Sequence, residues 1–517
     1  MRVLSFKPGH DGTAAFLDDG HLVFSLEGEK DSFIRYGPIS ASVVVEALEL
    51  AGEWPDVVAI GGWNKLLPGF NSKVGAGYVG LGRGESRDGR LFGRGVRFFT
   101  SSHERSHLFM VAAMAPGAPL DECAILIWEG HLGALYHWRE HGASISRTTV
   151  LSQPGSRYGA LFALADPGFP DHGRGPPVEA AGKLMALAGF ADTEAPHPED
   201  DAVIERLLEL DILWPFDKGA FRGTRLYNAG VHTPVVHRAA ARLGDRLFAI
   251  FRDAAERALP RGLPLLISGG CGLNCEWNVR WRDSGLFTDV FVPPCANDSG
   301  SAIGTAVDAA VEHGGKCAIE WTVYSGAPFH FDQPAGAGWT RRLLTPAALA
   351  ECVAAGDVVA WVEGRCEIGP RALGHRSLLA TPLTPESHRR LNAIKEREPY
   401  RPIAPCCLAE DLNRHFVPPI DDPFMLYFNR VSTSALPAIT HVDGTARVQS
   451  VRAVPHGLRA LLEAFRDRTG YGVLCNTSLN FPGTGFINRA SELFSYAELR
   501  GIEHVVVDSD WYCAQSS

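Results

Sequence analysis

The chain begins with short apolar runs separated by turn residues, and this pattern limits the folds that it can adopt. RVLSF, TAAFL and HLVFSLE, all within residues 2–27, are separated by KPGHDG and DDG. A DDG turn between apolar runs is typical of a β-hairpin, so we expect a strand meander. Buried strands then follow at 124–128 (AILIW) and 264–270 (PLLISGG), with a helical pattern over 238–259. This succession predicts the α/β class.

Size and composition favour a globular protein of two or three domains. The 517 residues are 45% hydrophobic and 21% charged, with a formal net charge of −10 and 11 cysteines. The acidic balance argues against a nucleic-acid partner, and no apolar run approaches the ~18 residues of a membrane span. We recognise no leader peptide, so we expect a cytoplasmic protein with reduced thiols.

Two segments rich in glycine suggest how the chain is organised. Residues 66–101 are rich in glycine and arginine and are predicted to form a long surface loop. The segment 324–339 is dense in proline and glycine and is the candidate domain boundary. The expected domains are therefore 1–335 and 336–517.

The pentapeptide HERSH, which contains His103 and His107, has the H-E-x-x-H spacing of zinc peptidases. Ser102 suits a helix N-cap and would place His103 in the first turn, and the i, i+4 spacing puts both histidines on one helix face. Glu129, after the strand AILIW, and Asp298 could complete a metal site. Two surface histidines without a metal remain the alternative, and a peptidase is a third interpretation.

Glycine-flanked turns follow two predicted strands. In GHDG, His10 has the near-neutral pKa of a general base, although an ordinary hairpin turn is the alternative. In ISGGCGLN, glycines behind a strand let backbone N–H groups approach a phosphate. Glu179 and Lys183 are four residues apart and form either a helical ion pair or contacts to ribose and phosphate.

The C-terminal part places cations among glycine, proline and apolar residues, which favours an anion pocket over a solvated surface. Lys395 and Arg397 are two residues apart in IKEREP, and Ser478 and Asn480 are two apart in CNTSLNFPG. In extended segments this spacing puts both side chains of a pair on one face. Each pair could therefore present two polar groups to one anion.

Together these segments resemble the O-carbamoyltransferases of antibiotic and nodulation-factor biosynthesis. The motifs are G-R-x-E-x-G-P-R-A-L-G-x-R-S, I-K-x-R-E, H-V-D-G-T-A-R-V-Q and N-T-S-x-N, in that order. FKPGHDG and LEGEKDSF at the start resemble the cephem-modifying branch. The resemblance covers nearly the whole chain.

The resemblance implies a C-terminal α+β domain similar to threonylcarbamoyl-AMP synthase. This domain would use Mg²⁺ and would make carbamoyl-AMP and pyrophosphate from carbamoyl phosphate and ATP. Its implied catalytic residues are Lys395, Arg397, Ser478 and Asn480. Its implied carbamoyl phosphate-binding residues are Arg371, Arg376, Arg447 and Asn476.

The resemblance also implies an N-terminal actin-like ATPase domain, similar to the tRNA threonylcarbamoyl-transfer protein. This domain would bind nucleotide beside a metal and pass the carbamoyl group to a hydroxyl, with His10 as the base. The implied metal ligands are His103, His107, Glu129 and Asp298, with Glu129 at a position where the family usually has aspartate. The implied nucleotide-binding residues are Glu179, Lys183, Gly269, Gly270, Gly272 and Asn274.

The expected ligands follow from the same resemblance. They are ATP, carbamoyl phosphate, a small-molecule hydroxyl acceptor and a divalent metal, for which Fe²⁺ is expected and Zn²⁺ or Mn²⁺ are alternatives. A 3-hydroxymethyl cephem is the first candidate acceptor, and hydroxyls of aminoglycosides, macrolides or nucleosides are alternatives. A homodimer is compatible with the sequence. The alternative functions are a zinc metallopeptidase, an actin-fold kinase and an ATP-binding regulator without turnover.

Overall fold

A computed structural model describes residues 1–62, 76–82, 84–192, 194, 197–211, 213–452 and 457–515. By packing, the chain forms two compact units. The larger unit comprises Met1–Leu120, Val292–Thr440 and Gly444–Ser517, and the smaller unit comprises Asp121–Phe291 and His441–Asp443. The domain boundary expected between residues 335 and 336 stays a prediction.

Strands form four sheets in the described residues. The first sheet contains β1 (Arg2–Lys7), β2 (Thr13–Asp18), β3 (His21–Glu27), β4 (Val57–Gly61), β5 (Glu85–Leu91) and β6 (Arg94–Ser101). The sheet of the smaller unit contains β7 (Cys123–Trp128), β8 (Gly133–Arg139), β9 (Ser144–Thr149), β10 (Leu265–Ser268) and β11 (Val290–Phe291). The remaining two sheets contain β12 (Trp339–Leu343), β13 (Val359–Val362), β14 (Arg376–Ala380), β15 (Ala404–Leu408), β16 (Phe416–Val417), β17 (Asn429–Val431), β18 (Thr445–Ala446), β19 (Gln449–Val451), β20 (Val473–Ser478), β21 (His504–Val507) and β22 (Asp510–Ala514).

The α-helices connect these strands. They are α1 (Ala41–Ala51), α2 (His103–Met114), α3 (Ser156–Ala165), α4 (Ala181–Ala188), α5 (Pro198–Glu209), α6 (Pro234–Ala258), α7 (Cys275–Arg282), α8 (Ser301–Glu312), α9 (Pro346–Ala355), α10 (Pro385–Ile394), α11 (Leu412–His415), α12 (Gly457–Thr469) and α13 (Ala490–Arg500). Helix α6 covers residues 238–258 of the helix predicted at 238–259. Among the described helices, none combines the length and the apolar character needed to span a bilayer.

The first sheet and the sheet of the smaller unit share one strand order. Three antiparallel strands, β3-β2-β1, continue into the parallel strands β4 and β6, and β9-β8-β7 likewise continue into β10 and β11. This duplication agrees with the actin-like fold that the resemblance implied, and the α/β class is confirmed. The predicted DDG hairpin joins β2 to β3, where Asp19 and Gly20 have positive φ values of 46° and 85°.

The prediction of a long loop over residues 66–101 was wrong for its second half. Strands β5 and β6 pair in antiparallel register there. Strand β5 has the sequence ESRDGRL and is mostly exposed, so it lacks the apolar alternation that marks a strand. Its order comes from pairing with β6, which a local pattern does not show. Residues 63–75 and 83 lie outside the described residues.

An eight-stranded sheet dominates the C-terminal part of the larger unit. Its order is β12-β22-β21-β13-β14-β20-β15-β19. One apolar cluster includes Leu349 of α9 and Leu461 of α12, and another includes Leu391 of α10 and Leu493 of α13. Helices therefore cover the sheet with two apolar layers.

Cysteines contribute thiols to these layers. All eleven are free, and several, including Cys406 and Cys407, are fully buried on β15. The expectation of reduced thiols stays a prediction.

Candidate active sites

Lys395 lies where the sequence predicted an anion site, but its backbone is not extended. It directly follows α10 with a near-helical backbone (φ −80°, ψ −3°), and Glu396 after it has a positive φ of 48°. The expectation that Lys395 and Arg397 share one face of an extended segment was therefore wrong. The Lys395 ammonium instead donates across the fold, to Ser478 O at 2.7 Å, Ser478 Oγ at 3.2 Å, Asn480 O at 3.1 Å and Asn480 Oδ1. The two sequence motifs thus meet each other.

Neighbouring cations surround this lysine. Burial, followed by the charges of Arg397 and Arg35, lowers the pKa of Lys395 well below its usual range. Burial, followed by the charges of Arg401 and Arg447, lowers the pKa of Arg397 to about 9. A cluster whose cations are destabilised by one another and by burial is suited to an anion, which would neutralise them.

The turn between β13 and β14 is organised by Glu367. This carboxylate is fully buried and accepts hydrogen bonds from the backbone N–H groups of Leu373 (2.7 Å), His375 (2.8 Å) and Arg376 (3.1 Å). The half-buried Arg371 lies within the same turn. Glu367 therefore fixes the loop that presents Arg371, a function that the sequence analysis did not assign to it.

Arg376 is directed into the protein. Its side chain is fully buried, and its guanidinium donates to Asn488 Oδ1 at 2.7 and 3.0 Å and to the carbonyls of Glu363, Gly364 and His375. These acceptors already use its donors. Contact of Arg376 with carbamoyl phosphate stays a prediction, and this geometry favours a supporting position.

Asn476 connects the other predicted anion-binding residues. Its Nδ2 donates to Ala372 O at 3.3 Å, beside Arg371, and to Gln449 Oε1 at 2.9 Å, two residues after Arg447. Among the described residues, the buried Asn476 Oδ1 and Arg447 Nε lack a hydrogen-bond partner. Buried polar atoms without partners are costly and are expected where a polar ligand binds.

The two histidines of HERSH face each other. Helix α2 begins at His103, and the Ser102 hydroxyl accepts the Arg105 N–H at 3.0 Å, as the N-cap prediction requires. His103 Nε2 and His107 Nε2 are 3.2 Å apart, and both residues are fully buried. The alternative of two surface histidines was therefore wrong.

Asp298 joins this pair. Its Oδ1 lies 3.6 Å from His103 Nε2 and 3.4 Å from His107 Nε2, while its Oδ2 accepts the Lys7 ammonium at 3.0 Å. Burial alone would raise the pKa of the Asp298 carboxyl, but the charges of Lys7, His103 and His107 hold that pKa well below its usual range. Two imidazoles and an ionised carboxylate fit a divalent transition metal.

Close packing of α8 on α2 explains this meeting. Asp298 lies three residues before α8. A Cβ on Gly304 of α8 would lie 1.7 Å from Ser106 O of α2, so only glycine permits the observed approach. The sequence spacing of His103 and His107 is local, whereas the position of Asp298 depends on this helix contact.

Glu104, the general base of a peptidase interpretation, is directed elsewhere. Its carboxylate is buried and accepts the Gly80 N–H at 2.8 Å, while the Ser102 hydroxyl donates to Gly80 O at 2.6 Å. Arg105 pairs with Asp308 at 2.5 Å. The middle of HERSH thus anchors neighbouring segments, and the geometry does not favour a peptidase.

His10 lies in the turn after β1, and its neighbour Asp11 contacts the turn that contains Asp298. Its Nδ1 is 3.2 Å from Asp11 Oδ2, which also accepts the Asn297 side-chain N–H at 3.1 Å. The His10 ring stacks on Tyr36 with centroids 5.2 Å apart. Burial lowers the pKa of His10, but the hydrogen bond and charge of Asp11 outweigh it, so the pKa is raised.

Sequence reasoning missed Lys7. This fully buried lysine donates to His10 O and to Asp298 Oδ2. It thereby joins the predicted base to the predicted metal ligand. A lysine that ends a buried apolar strand, two residues before GHDG, was the available signal.

In the smaller unit, Glu129 follows β7 and the glycine-rich turn follows β10. Because β7 and β10 are parallel neighbours, both lie at the carboxyl ends of these strands, on the same side of the sheet. Gly269 has a φ of 97°, and a Cβ there would lie 2.5 Å from Trp128 O, so the position requires glycine. A Cβ on Gly270 would meet open space. The Gly272 N–H donates to Gly269 O at 2.9 Å within the turn. Glu129 is buried after β7.

The other predicted nucleotide contacts are spread over three elements. Asn274 caps α7 because its side-chain oxygen accepts the N–H groups of Glu276 (3.1 Å) and Trp277 (3.3 Å). Glu179 is exposed in a short 3₁₀ turn, and Lys183 is half-buried on α4. A nucleotide contact for these three residues stays a prediction.

Comparison with known proteins identifies the family. Residues 350–513 match the description "Carbamoyltransferase C-terminus", and residues 256–307 match "Carbamoyltransferase N-terminus". The chain is 51% identical to a 3'-hydroxymethylcephem-O-carbamoyltransferase of Amycolatopsis lactamdurans and 50% identical to one of Streptomyces clavuligerus, with 99% of each chain covered in both cases. The chain belongs to the carbamoyltransferase family. It is also 34% identical to nodulation protein U of Rhizobium tropici, over 98% of this chain and 95% of that relative.

Family membership confirms the resemblance on which the sequence analysis depended. The chain is an enzyme, a carbamoyltransferase. The carbamoyltransferase motifs G-R-x-E-x-G-P-R and N-T-S-x-N correspond to the Glu367 turn and to the Ser478 and Asn480 contacts of Lys395.

Proposed function

We propose that this carbamoyltransferase makes carbamoyl-AMP from carbamoyl phosphate and ATP and transfers the carbamoyl group to the 3-hydroxymethyl group of a cephem. The observation that supports this acceptor is the 51% and 50% identity to two relatives named 3'-hydroxymethylcephem-O-carbamoyltransferase, over 99% of each chain. A cytoplasmic location is part of the same proposal, because ATP and carbamoyl phosphate are cytoplasmic metabolites.

Adenylate formation is assigned to the Lys395 cluster, which comprises Lys395, Arg397, Ser478 and Asn480. Atom balance requires that carbamoyl phosphate and water give carbamate and inorganic phosphate, and that a carbamate oxygen then attacks the α-phosphorus of ATP. Pyrophosphate leaves as the P–O bond breaks. Lys395 and Arg397, with Arg371, Arg447 and Asn476, would neutralise and orient the anions in this step, together with Mg²⁺.

Transfer is assigned to His10. With its Nε2 it would take the proton of the acceptor hydroxyl, whose oxygen attacks the carbamoyl carbon while the bond to the AMP phosphate oxygen breaks. Asp11 would orient the imidazole and stabilise its protonated form, as their 3.2 Å contact allows. The products are the carbamate ester and AMP.

His103, His107 and Asp298 would hold a divalent metal, for which we propose Fe²⁺, and Glu129 is proposed as a further ligand. The metal would supply positive charge to a phosphate or carbamoyl oxygen. We assign nucleotide contacts to the glycine turn at 269–272, with Asn274, Glu179 and Lys183.

The test measures pyrophosphate release from ATP with and without carbamoyl phosphate and without an acceptor. We expect release only when carbamoyl phosphate is present. Addition of a 3-hydroxymethyl cephem should then give the carbamate ester, detected by mass, whereas an aminoglycoside should remain unmodified. Absence of carbamoyl phosphate-dependent release would contradict the adenylate route, and modification of the aminoglycoside alone would contradict the acceptor.

A further inference from the structure

The segment between β3 and α1, residues 28–38, has a strained backbone. We call it the strap. Asp31, Ser32 and Tyr36 have positive φ values of 64°, 61° and 62°, a conformation that L side chains rarely adopt. Such strain persists where surrounding contacts fix the backbone, and it occurs most often at functional sites. The contacts of the strap show what it connects.

One end of the strap is attached to the turn that contains His10. The Gly12 N–H donates to Gly37 O at 2.9 Å, and the Asp11 N–H donates to Tyr36 O at 3.3 Å. The Tyr36 ring stacks on His10 with an interplanar angle of 9°. A Cβ on Gly12 would lie 2.5 Å from the carbonyl carbon of Pro38, at the end of the strap, so the approach of the two segments requires glycine.

The middle of the strap is attached to the turn at residues 481–485. The Arg35 N–H donates to Gly483 O at 3.2 Å, and the Gly485 N–H donates to Phe33 O at 2.9 Å. The Asn480 amide fixes the same turn by donating to Phe481 O at 2.7 Å and Thr484 O at 2.9 Å.

Asn480 also accepts the Lys395 ammonium. Asn480 thus connects Lys395, the proposed adenylate-forming residue, to the turn that the Arg35 backbone also contacts. The next residue, Tyr36, is stacked on the proposed transfer base His10. Adjacent Cα atoms are about 3.8 Å apart. Two consecutive residues of the strap therefore contact the proposed adenylate-forming site on one side and the proposed transfer site on the other.

The Arg35 guanidinium has donors to offer. Its Nε forms an ion pair with Glu29 Oε2 at 3.8 Å, a distance too long for a hydrogen bond, and the guanidinium carbon lies 5.0 Å from the centre of the Tyr36 ring. Within the described residues, its side chain makes no hydrogen bond, and 37% of it is exposed. Its charge reaches Lys395, whose pKa it helps to lower. An arginine held in this way can bind a phosphate with two N–H groups.

We propose that Arg35 binds the phosphate of carbamoyl-AMP after pyrophosphate leaves and retains it for transfer at His10. The inference rests on the proposed function, because it requires an adenylate common to both steps. Pyrophosphate release removes most of the negative charge from the Lys395 cluster. Arg35 is bonded to the turn at 481–485, and the next residue, Tyr36, contacts the His10 turn, so the Arg35 cation would keep the remaining monoanion close to the transfer base.

The experiment uses the full-length Arg35→Met variant, which retains the aliphatic stem, and Arg35→Lys, which retains the charge. Arg87→Met, on the exposed strand β5, is the matched control. Pyrophosphate, carbamoylated product and AMP are measured together. We expect product per pyrophosphate to fall by about 10- to 100-fold in Arg35→Met, the range for a lost charged hydrogen bond. Pyrophosphate should still form, AMP should accumulate without product, and Arg35→Lys should recover part of the yield.

Three results would overturn the inference. The first is an unchanged product per pyrophosphate in Arg35→Met. The second is a raised KM for the acceptor with normal yield at saturation, which would assign Arg35 to the acceptor. The third is an equal loss of both half-reactions together with a lower melting temperature, which would make Arg35 a structural residue of the strap. If the wild-type protein releases no pyrophosphate with carbamoyl phosphate, the proposed function itself fails, and that outcome is distinct from these three.

Discussion

The Lys395 cluster and the Asp298 cluster (Asp298, Lys7, His103 and His107) are both buried, but their charges are arranged in opposite ways. Around Lys395, burial and neighbouring arginines lower the pKa of a cation. Around Asp298, burial acts against the charged carboxyl, yet Lys7 and two histidines keep its pKa low. In the Lys395 cluster, positive charges lie close together without enough negative charge to balance them. In the Asp298 cluster, one carboxylate is surrounded by a lysine that donates a hydrogen bond to it and by two imidazoles that could ligate a metal.

This difference indicates which ligand each cluster takes. An anion bound at Lys395 would restore the pKa values of Lys395 and Arg397, so its binding free energy includes relief of that repulsion. A divalent cation would bind the Asp298 carboxylate together with the neutral forms of His103 and His107, since imidazoles ligate metal in their neutral form. The two clusters should therefore fail independently when one residue of each is changed.

Lys395→Met is expected to give the largest effect. It removes the ammonium that contacts Ser478 and Asn480, and carbamoyl phosphate-dependent pyrophosphate release should fall by about 10²- to 10³-fold, the usual cost of losing a preorganised electrostatic donor. Bound metal, measured by elemental analysis, should stay unchanged. Arg389→Met, an exposed cation on α10, is the control. Pyrophosphate release within twofold of wild type would remove Lys395 from the site.

His107→Ala should separate the clusters in the other direction. Loss of one imidazole should reduce bound metal and lower carbamoyl transfer by about 100-fold or more, since even outer-shell partners of a metal matter by 10- to 100-fold. Pyrophosphate release should remain close to wild type. His141→Ala, at an exposed histidine, controls for adventitious metal. Full metal content in His107→Ala would contradict the assignment.

Features that depend on neighbouring residues were predicted well from the sequence. The hairpin at Gly20, the N-cap at Ser102 and the shared face of His103 and His107 follow from local backbone preferences. Motif combinations also identified the family and brought Lys395 together with the CNTSLN segment. The structure supplied a different backbone for Lys395, because an extended i, i+2 face was assumed where a helix ends.

Long-range contacts were not predictable in this way. Lys7 and Arg35 are separated by many residues from Asp298 and Gly483, which they contact, so these contacts depend on how distant segments pack. Glu367 shows a second limit, the conformation of a turn: its letter belongs to a recognised motif, but the three backbone N–H groups that it binds come together only in the folded turn. Strand β5 shows a related limit for secondary structure, since its pairing partner determines it.

Glu104→Ala compares the two interpretations of HERSH within one helix. Its carboxylate accepts the Gly80 N–H, so its loss should destabilise the fold by about 1–3 kcal/mol, the cost of an unsatisfied buried group. Apparent melting temperature should fall, while carbamoyl transfer per folded molecule should drop by less than about threefold. Ser102→Ala, which removes the other bond to Gly80, is the matched comparison. A loss of transfer as large as that of His107→Ala would show that Glu104 has a chemical function.

Asp11→Asn should have the smallest effect, a shift in pH dependence. His10 must be neutral to accept the hydroxyl proton, so transfer should rise with pH through the pKa of His10, which Asp11 raises above its ordinary value of 6.5. Removal of the carboxylate charge lowers that pKa and moves the acidic limb to lower pH, by less than about one unit because Asp298 still favours the charged imidazole and Lys7 opposes it. The measurement is the rate of product formation against pH at saturating acceptor, with Asp18→Asn at the exposed end of β2 as control. An unmoved limb would separate His10 from the proton transfer, and a limb that moved to higher pH would contradict the assigned effect of Asp11.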